Sequence, residues 1–308
     1  MFIPAPLLPG DRIAIISPSS PVKSEYIDGA ERWIRSKGWQ PVRMPHADGP
    51  AHGSYAADDE ARLQDLLNAW SNPDIKAILC ARGGYGAVRL LEKASEKLPD
   101  NISKWLIGFS DISAIHALLL HHRIASIHGP MAKHLTEHPD DAPSQMLEDI
   151  LRGEKKLTIS SPHPDSLSQP GHVEGRLVGG NLAVINGLFA TPFDPIRNVR
   201  PEKAILLIED ISEKIYAVER MLYHLRLTGA FDSIAGMVIG QFTDYTSDRN
   251  FTRMEEMISA FLNNHDLRNL PVWMNAPIGH VDTNFPLVLG SRASLKVSSS
   301  GASLSMLL

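Results

Sequence analysis

Short apolar runs alternate along this chain with stretches in which apolar residues recur every three or four positions. The runs predict buried strands, and the recurring positions predict amphipathic helices. In the first half of the chain the predicted strands are residues 12–16, 41–44, 76–80, 105–107 and 125–127. Helical patterns separate them, and strands that alternate with helices at this spacing predict a parallel sheet covered on both faces.

A polar, proline-rich stretch at residues 160–171 interrupts this pattern and is the best linker in the chain. Beyond it, strands are predicted at 173–178, 204–208 and 236–240, near Val272 and near Leu287, followed by a β-like tail. Helices are predicted at 179–189, 214–227 and 254–262. We therefore predict an α/β fold in two domains. An N-terminal parallel-sheet domain of the Rossmann or flavodoxin-like type (1–160) is joined by a linker (161–172) to a smaller C-terminal α/β domain (173–308).

Composition narrows the functional classes. The 308 residues are 43% hydrophobic and 21% charged, with a net charge of −5. This mild acidity gives no electrostatic footprint for nucleic acid or an anionic membrane, and no segment approaches the roughly 20 apolar residues of a membrane span. Cys80 is the only cysteine, so no internal disulfide or multi-cysteine metal site is possible. The chain starts without a basic signal-peptide region. We expect a cytoplasmic protein, and we expect no cofactor.

The change from strand to helix pattern at Gly108-Phe109-Ser110-Asp111 is the first chemical signal. A serine on such a turn is exposed at the carboxyl edge of the sheet, beside backbone N–H groups that could bind an oxyanion. The alternative is that Ser110 or Asp111 only caps the following helix, as both residue types often do. The sequence does not match the G-x-S-x-G elbow, so local pattern leaves both interpretations open.

A glycine-rich turn, Arg82-Gly83-Gly84-Tyr85-Gly86, follows the third predicted strand and is called the glycine turn below. Three interpretations are open. It could cradle a phosphate, it could supply half of an oxyanion hole beside Ser110, or it could be a tight turn that needs positive φ.

Two further residues lie at strand ends. Glu209 follows the apolar run of the strand at 204–208, where a carboxylate needs a partner. His280 lies in a loop after the strand near Val272, where catalytic side chains often collect. Cys80 is a rival nucleophile, but its place inside an apolar strand favours a buried, inert thiol. Ser110, Glu209 and His280 thus form a possible serine, acid and histidine set.

Several motifs together resemble one family, the LD-carboxypeptidases (murein tetrapeptide carboxypeptidases), whose sister branch is the microcin C self-immunity peptidases. The resemblance spans nearly the whole chain. Its motifs are Pro9-Gly10-Asp11-Arg12-Ile13-Ala14, Ser17-Pro18-Ser19-Ser20, the glycine turn with Ala81, Gly108-Phe109-Ser110-Asp111, His128-Gly129-Pro130, Gly179-Gly180-Asn181-Leu182, Leu207-Ile208-Glu209-Asp210 and Gly279-His280.

The resemblance implies a catalytic triad of Ser110 as nucleophile, His280 as base and Glu209 as the acid that orients it. By motif position, backbone N–H groups of Gly84 and Asp111 would form the oxyanion hole. The implied substrate is a cytoplasmic muropeptide, cut before its terminal D-Ala during wall recycling. Family members are typically homodimers without metal. Arg82, Tyr85 and His128 are weaker predictions as substrate-binding residues, because turn or packing roles explain them as well.

Two other functions remain open from the sequence. A detoxifying peptidase or amidase of the same fold could act on a peptidyl-nucleotide such as processed microcin C, with Tyr245 or Phe251 stacking on the base. Alternatively, the chain could be a two-domain binding protein that uses the glycine turn without catalysis.

Overall fold

The computed structural model describes residues 1–99 and 104–308. The chain divides into two compact units of nearly equal length. The first comprises Met1–Glu154 with Phe285–Leu287, and the second comprises Lys155–Asn284 with Val288–Leu308. None of the helices in the described residues has the length and apolar character that a membrane span needs.

The first unit alternates strands and helices as the sequence predicts. Its elements are β1 (Arg12–Ile16), α1 (Ser24–Ser36), β2 (Gln40–Arg43), α2 (Asp59–Ser71), β3 (Ile75–Cys80), α3 (Leu91–Lys97), β4 (Trp105–Gly108), α4 (Ser113–His121), β5 (Ser126–His128), α5 (Ala132–Glu137) and α6 (Ala142–Arg152). Short 3₁₀ turns at Ala87–Leu90 and Ser110–Ile112 precede α3 and α4.

The sheet that contains β1 to β5 has the order β11-β5-β4-β3-β1-β2. Its edge strand β11 (Leu287–Leu289) starts at the last residue of the segment Phe285–Leu287. Strands β1 to β5 pair in parallel. Residues Ile13–Ile16 of β1 and all of β4 are buried, which is why these strands are apolar without alternation. Because parallel strands end at the same edge, the turns after β3 and β4 lie side by side.

The second unit is built on a mixed sheet. Its elements are β6 (Lys156–Ser161), β7 (Gly171–Asn181), α7 (Leu182–Asn186), β8 (Ala204–Ile211), α8 (Ile215–Leu227), β9 (Ile234–Thr243), α9 (Met254–Asn264), β10 (Val272–Trp273), β12 (Arg292–Ser298) and β13 (Gly301–Leu307). The order is β10-β9-β8-β7-β12-β13-β6. Strands β7 to β10 pair in parallel, and β7, β12, β13 and β6 pair antiparallel.

The predicted fold class, α/β with an N-terminal parallel sheet, is confirmed, and two details differ from expectation. The helix predicted at 179–189 is reduced to α7, because β7 continues to Asn181 and the helix ends at Asn186, before Gly187. The polar segment at 160–171 belongs to the second unit rather than standing alone. Its Asp165 carboxylate accepts hydrogen bonds from Arg253 at 2.6 Å and Asn275 at 2.9 Å.

Candidate active site

Ser110 occupies a strained turn between β4 and α4. Its φ is 66°, in the left-handed region that costs a residue with a Cβ roughly 1–2 kcal/mol. The helix α4 begins at Ser113 behind Ile112, which makes no side-chain capping bond. Neither Ser110 nor Asp111 is therefore the N-cap of α4. A strained serine between strand and helix is typical of a nucleophile elbow, although the G-x-S-x-G pattern is absent.

A buried histidine supports the strand end that leads into this turn. His116 lies in α4, with Nε2 2.8 Å from the Gly108 carbonyl and Nδ1 2.8 Å from the Ser126 hydroxyl. Burial lowers the pKa of His116 to about 3, so the ring is neutral at physiological pH. With one proton, Nε2 donates to Gly108 and Nδ1 accepts from Ser126. The carbonyl two residues before Ser110 is thereby held in place.

The glycine turn lies directly against Ser110. A Cβ added at Gly83 would come within 2.8 Å of the Ser110 Cβ and 3.1 Å of its Oγ. Gly84 has a φ of +112°, and a Cβ there would lie 2.2 Å from the Ser20 hydroxyl oxygen. No side chain fits at either position. The backbone of this turn can therefore approach whatever reacts at Ser110, and Gly84 is exposed.

Glu209 and His280 form a hydrogen-bonded pair in the second unit. Glu209 lies near the end of β8, and His280 lies in the loop after β10, at the same edge of the sheet. The His280 Nδ1 and the Glu209 Oε2 are 2.7 Å apart. When the imidazole is neutral, Nδ1 donates to the carboxylate and Nε2 carries the lone pair that a general base requires.

Glycines allow the backbone to close around this carboxylate, which is fully buried. A Cβ at Gly279, whose φ is +113°, would lie 2.8 Å from the Glu209 Oε2. A Cβ at Gly240 would lie 3.0 Å from the Glu209 Cβ. The Gly279 N–H donates to the Asn284 side chain at 2.9 Å, which fixes the residue before His280.

The pKa of His280 depends on its burial and on the carboxylates around it. Burial alone would lower the pKa of His280, but the hydrogen bond to Glu209 and the charges of Glu209, Asp210 and Asp244 raise it above its ordinary value. Burial also raises the pKa of Asp210 to about 6, assisted by the neighbouring Glu209 charge. Asp210 accepts hydrogen bonds from Ala183 and Ile211 N–H groups and joins β8 to the start of α7.

Two family models match this chain, one in each half. A model of the LD-carboxypeptidase N-terminal domain matches residues 13–129. A model of the LD-carboxypeptidase C-terminal domain matches residues 174–295, so that together they cover well over half of the chain. The chain belongs to the LD-carboxypeptidase family. This confirms the resemblance drawn from the motifs and the expectation of a hydrolase with carboxypeptidase activity.

Similarity to individual LD-carboxypeptidases extends over most of the chain. A provisionally assigned carboxypeptidase of Synechocystis sp. is 36% identical over 296 residues, covering 95% of this chain and 93% of the relative. The murein tetrapeptide carboxypeptidase of Pseudomonas aeruginosa is 29% identical and covers 92% and 93%. The crystal structure of muramoyltetrapeptide carboxypeptidase from Oxalobacter formigenes superposes with a TM-score of 0.83 at 27% identity, covering 96% and 99%.

The weaker substrate-binding predictions fall into two environments. Arg82 and Tyr85 are exposed in the glycine turn, and one Arg82 nitrogen donates to the Pro21 carbonyl at 2.8 Å. Tyr85 is 53% exposed and packs beside the Tyr55 ring. His128 is instead fully buried, and its ring lies near the ring of Phe109. Substrate binding by these residues stays a prediction.

Cys80 is a poor nucleophile in this fold. Its side chain is buried at the end of β3, and burial raises the pKa of the thiol well above its ordinary value. Because the thiolate is the reactive form, this cysteine is chemically inert at neutral pH. In residues 1–99 and 104–308, no group of three His, Cys, Asp or Glu side chains is arranged to hold a metal ion.

Three polar side chains of the first unit make buried contacts that the sequence did not predict. The carboxylate of Asp111, the hydroxyl of Ser19 and the guanidinium of Arg62 are all buried around the glycine turn. Ser19 lies within a recognised motif, but its hydroxyl had no assigned role. The sequence gives only one signal for Arg62: this charged residue directly precedes Leu63, a buried apolar residue of α2.

Proposed function

We propose that this chain is a serine LD-carboxypeptidase that removes the terminal D-Ala from muropeptide tetrapeptides. The observation that carries the proposal is the left-handed conformation of Ser110 with the glycine turn packed against it. Membership of the family supports the reaction class, and the named activities of the relatives from P. aeruginosa and O. formigenes support the substrate.

In the proposed mechanism the Ser110 hydroxyl attacks the carbonyl of the bond before D-Ala, and the His280 Nε2 takes its proton. The imidazolium that forms is stabilised by the Glu209 carboxylate across the 2.7 Å hydrogen bond. Backbone N–H groups of Gly84 and Asp111 bind the oxyanion. His280 then gives its proton to the leaving amine of D-Ala, and an acyl ester remains on Ser110. Water deprotonated by His280 hydrolyses this ester and restores the serine.

The proposed substrate is an anion, and the exposed side chains of the glycine turn suit it. A tetrapeptide that ends in D-Ala carries a terminal carboxylate, which an arginine can bind through two parallel hydrogen bonds. Arg82 is an exposed residue two positions before Gly84, and Tyr85, whose side chain is exposed, directly follows Gly84. We assign Arg82 to the substrate carboxylate and Tyr85 to the apolar part of the peptide, and we retain His128 as a predicted pocket residue.

The test is release of D-Ala from L-Ala-γ-D-Glu-meso-diaminopimelate-D-Ala. Wild type should release D-Ala, and Ser110→Ala should lose at least a thousandfold in kcat. Ser36→Ala is the matched control, because its hydroxyl only bonds the Trp33 carbonyl at the end of α1. Full activity of Ser110→Ala would exclude this nucleophile. If the protein hydrolysed a peptidyl-nucleotide but not the tetrapeptide, the proposed muropeptide substrate would be wrong and the detoxifying function would take its place.

The family resemblance also implies a cellular location and an oligomeric state for this protein. We propose that the protein acts in the cytoplasm during wall recycling and forms a homodimer. Light scattering should then give twice the chain mass of 33.9 kDa at micromolar concentration. A particle of single-chain mass would contradict the dimer without affecting the reaction.

A further inference from the structure

The side chain of Asp111 makes bonds that a helix cap does not make. It is 3% exposed, beside Ser110, and a single carboxylate oxygen, Oδ2, accepts two hydrogen bonds. The donors are the Ser19 hydroxyl at 2.6 Å and the Ala87 N–H at 2.8 Å. Burying a carboxylate costs free energy unless it accepts hydrogen bonds. The two donors therefore hold the Asp111 carboxylate at this position.

The two donors belong to the two segments that flank the reactive turn. Ser19 lies in the loop Ser17–Ser20, which follows β1, and Ala87 directly follows the glycine turn. These segments are also bonded to each other. The Ser20 N–H donates to the Gly83 carbonyl, and the Tyr85 N–H donates to the Ser20 hydroxyl, both at 3.2 Å. The Asp111 carboxylate therefore ties three segments together at one point.

Arg62, a buried cation in α2, forms hydrogen bonds with the same two segments. The Arg62 guanidinium is 1% exposed and donates to the carbonyls of Pro18 and Gly86, the latter at 3.1 Å. Pro18 precedes Ser19, and Gly86 precedes Ala87. Asp111 thus bonds the Ser19 hydroxyl and the Ala87 N–H, and Arg62 bonds the carbonyl of the residue before each of them. Both segments are therefore held at neighbouring residues.

We propose that Asp111 is a positioning residue, whose carboxylate, bonded to Ser19 and Ala87, holds the Gly84 N–H in place beside Ser110. The inference rests on the proposed function, in which this N–H binds the oxyanion. An oxyanion donor acts mainly in the transition state, so its displacement should lower kcat and leave KM nearly unchanged. Misplacement by about 1 Å can cost roughly a hundredfold in rate.

The experiment measures kcat and KM for D-Ala release in side-chain variants of the full chain. Asp111→Ala should lower kcat about a hundredfold, and Ser19→Ala about tenfold, with KM within about twofold of wild type. Asp111→Asn should fall between Asp111→Ala and wild type, because the amide oxygen can still accept both bonds without the charge. If Asp111→Ala does not fold, Ser19→Ala and Asp111→Asn carry the test.

A matched control and a double variant separate positioning from general destabilisation. Asp65→Ala removes another buried carboxylate of the first unit, one that accepts the His46 N–H at 2.8 Å. It should destabilise the protein but leave kcat within about twofold. Asp111→Ala combined with Ser19→Ala should be no slower than Asp111→Ala alone, because both changes break one interaction. Equal kcat losses in Asp65→Ala and Asp111→Ala, or losses that multiply in the double variant, would overturn the inference.

Labelling by a fluorophosphonate distinguishes this inference from the proposed function. If wild type is labelled at Ser110 but releases no D-Ala, the proposed substrate is wrong. The order of labelling rates, wild type above Asp111→Asn above Asp111→Ala, then still supports the positioning role, and equal rates overturn it. If wild type shows neither labelling nor release, both the proposed function and the inference are overturned.

Discussion

The left-handed conformation of Ser110 makes a stability prediction that is independent of the substrate. We compare Ser110→Gly with Ser110→Ala, because both delete the hydroxyl and only alanine keeps the Cβ. At a φ of 66° the Cβ costs roughly 1–2 kcal/mol, which glycine avoids. Glycine also lowers the free energy of unfolding by about 0.4–1 kcal/mol, because the unfolded chain has more conformational freedom with glycine than with alanine. The glycine variant should therefore be more stable by about 1 kcal/mol.

Urea unfolding followed by tryptophan fluorescence measures this difference in the relevant unit. Four of the five tryptophans report on the first unit, which contains Ser110: they are Trp33, Trp39, Trp70 and Trp105. The fifth, Trp273, lies in the second unit. With an m-value of roughly 2 kcal/mol/M, the midpoint of Ser110→Gly should lie about 0.5 M above that of Ser110→Ala.

Ser113 supplies a control of opposite sign in the same segment. It is the first residue of α4 and has an ordinary helical φ of −53°. There, glycine should be less stable than alanine by up to about 1 kcal/mol, because it loses more chain entropy in a helix. Equal midpoints for the two Ser110 variants, or the same sign at both positions, would refute the assignment of strain to Ser110.

The remaining predictions concern the two halves of the site. Gly84→Ala should lower kcat about a hundredfold and destabilise more than Gly38→Ala, which has a similar positive φ but no atom within 4 Å of an added Cβ; D-Ala release and urea melts test both. Activity should fall on the acid side as His280 protonates, at a pH above the ordinary histidine pKa of about 6.5, because Glu209 raises its pKa. Glu209→Gln should move this limb to lower pH and reduce kcat, and a limb that does not move would contradict the pairing. Gly279→Ala should shift the limb in the same direction, because its Cβ would displace the Glu209 carboxylate.

The local elements around the site could be predicted from the sequence, because their signals are short-range. The change of apolar period at Gly108 to Ile112 predicts the turn that carries Ser110, and the structure has β4 and α4 on either side. The left-handed φ of Ser110 could not be predicted, since serine rarely adopts it and the surrounding packing imposes it. The sequence predicts the C-terminal tail only as β-like. In the structure β12 pairs antiparallel with β7, and β13 pairs antiparallel with β12.

Contacts between distant residues could be predicted only in outline. Glu209 and His280 lie 71 positions apart, and the pattern of the sequence indicates only that each follows a strand. That they pair is implied by the family resemblance alone. The hydrogen bond depends on β8 and β10 belonging to the same parallel half of a sheet and on glycines that leave room for it. Asp111 shows the opposite limitation. Its residue type and position favoured a helix cap, whereas its carboxylate is bonded to Ser19 and Ala87 instead.

The most direct test of the central claim is to find where a fluorophosphonate binds covalently. Wild type should gain the mass of one adduct, and peptide mapping should locate it on Ser110. The tetrapeptide should slow the labelling, and His280→Ala should slow it by orders of magnitude, because the base that activates the serine is lost. Absence of an adduct, or an adduct on another residue with Ser110 unmodified, would contradict the assignment of Ser110 as the nucleophile.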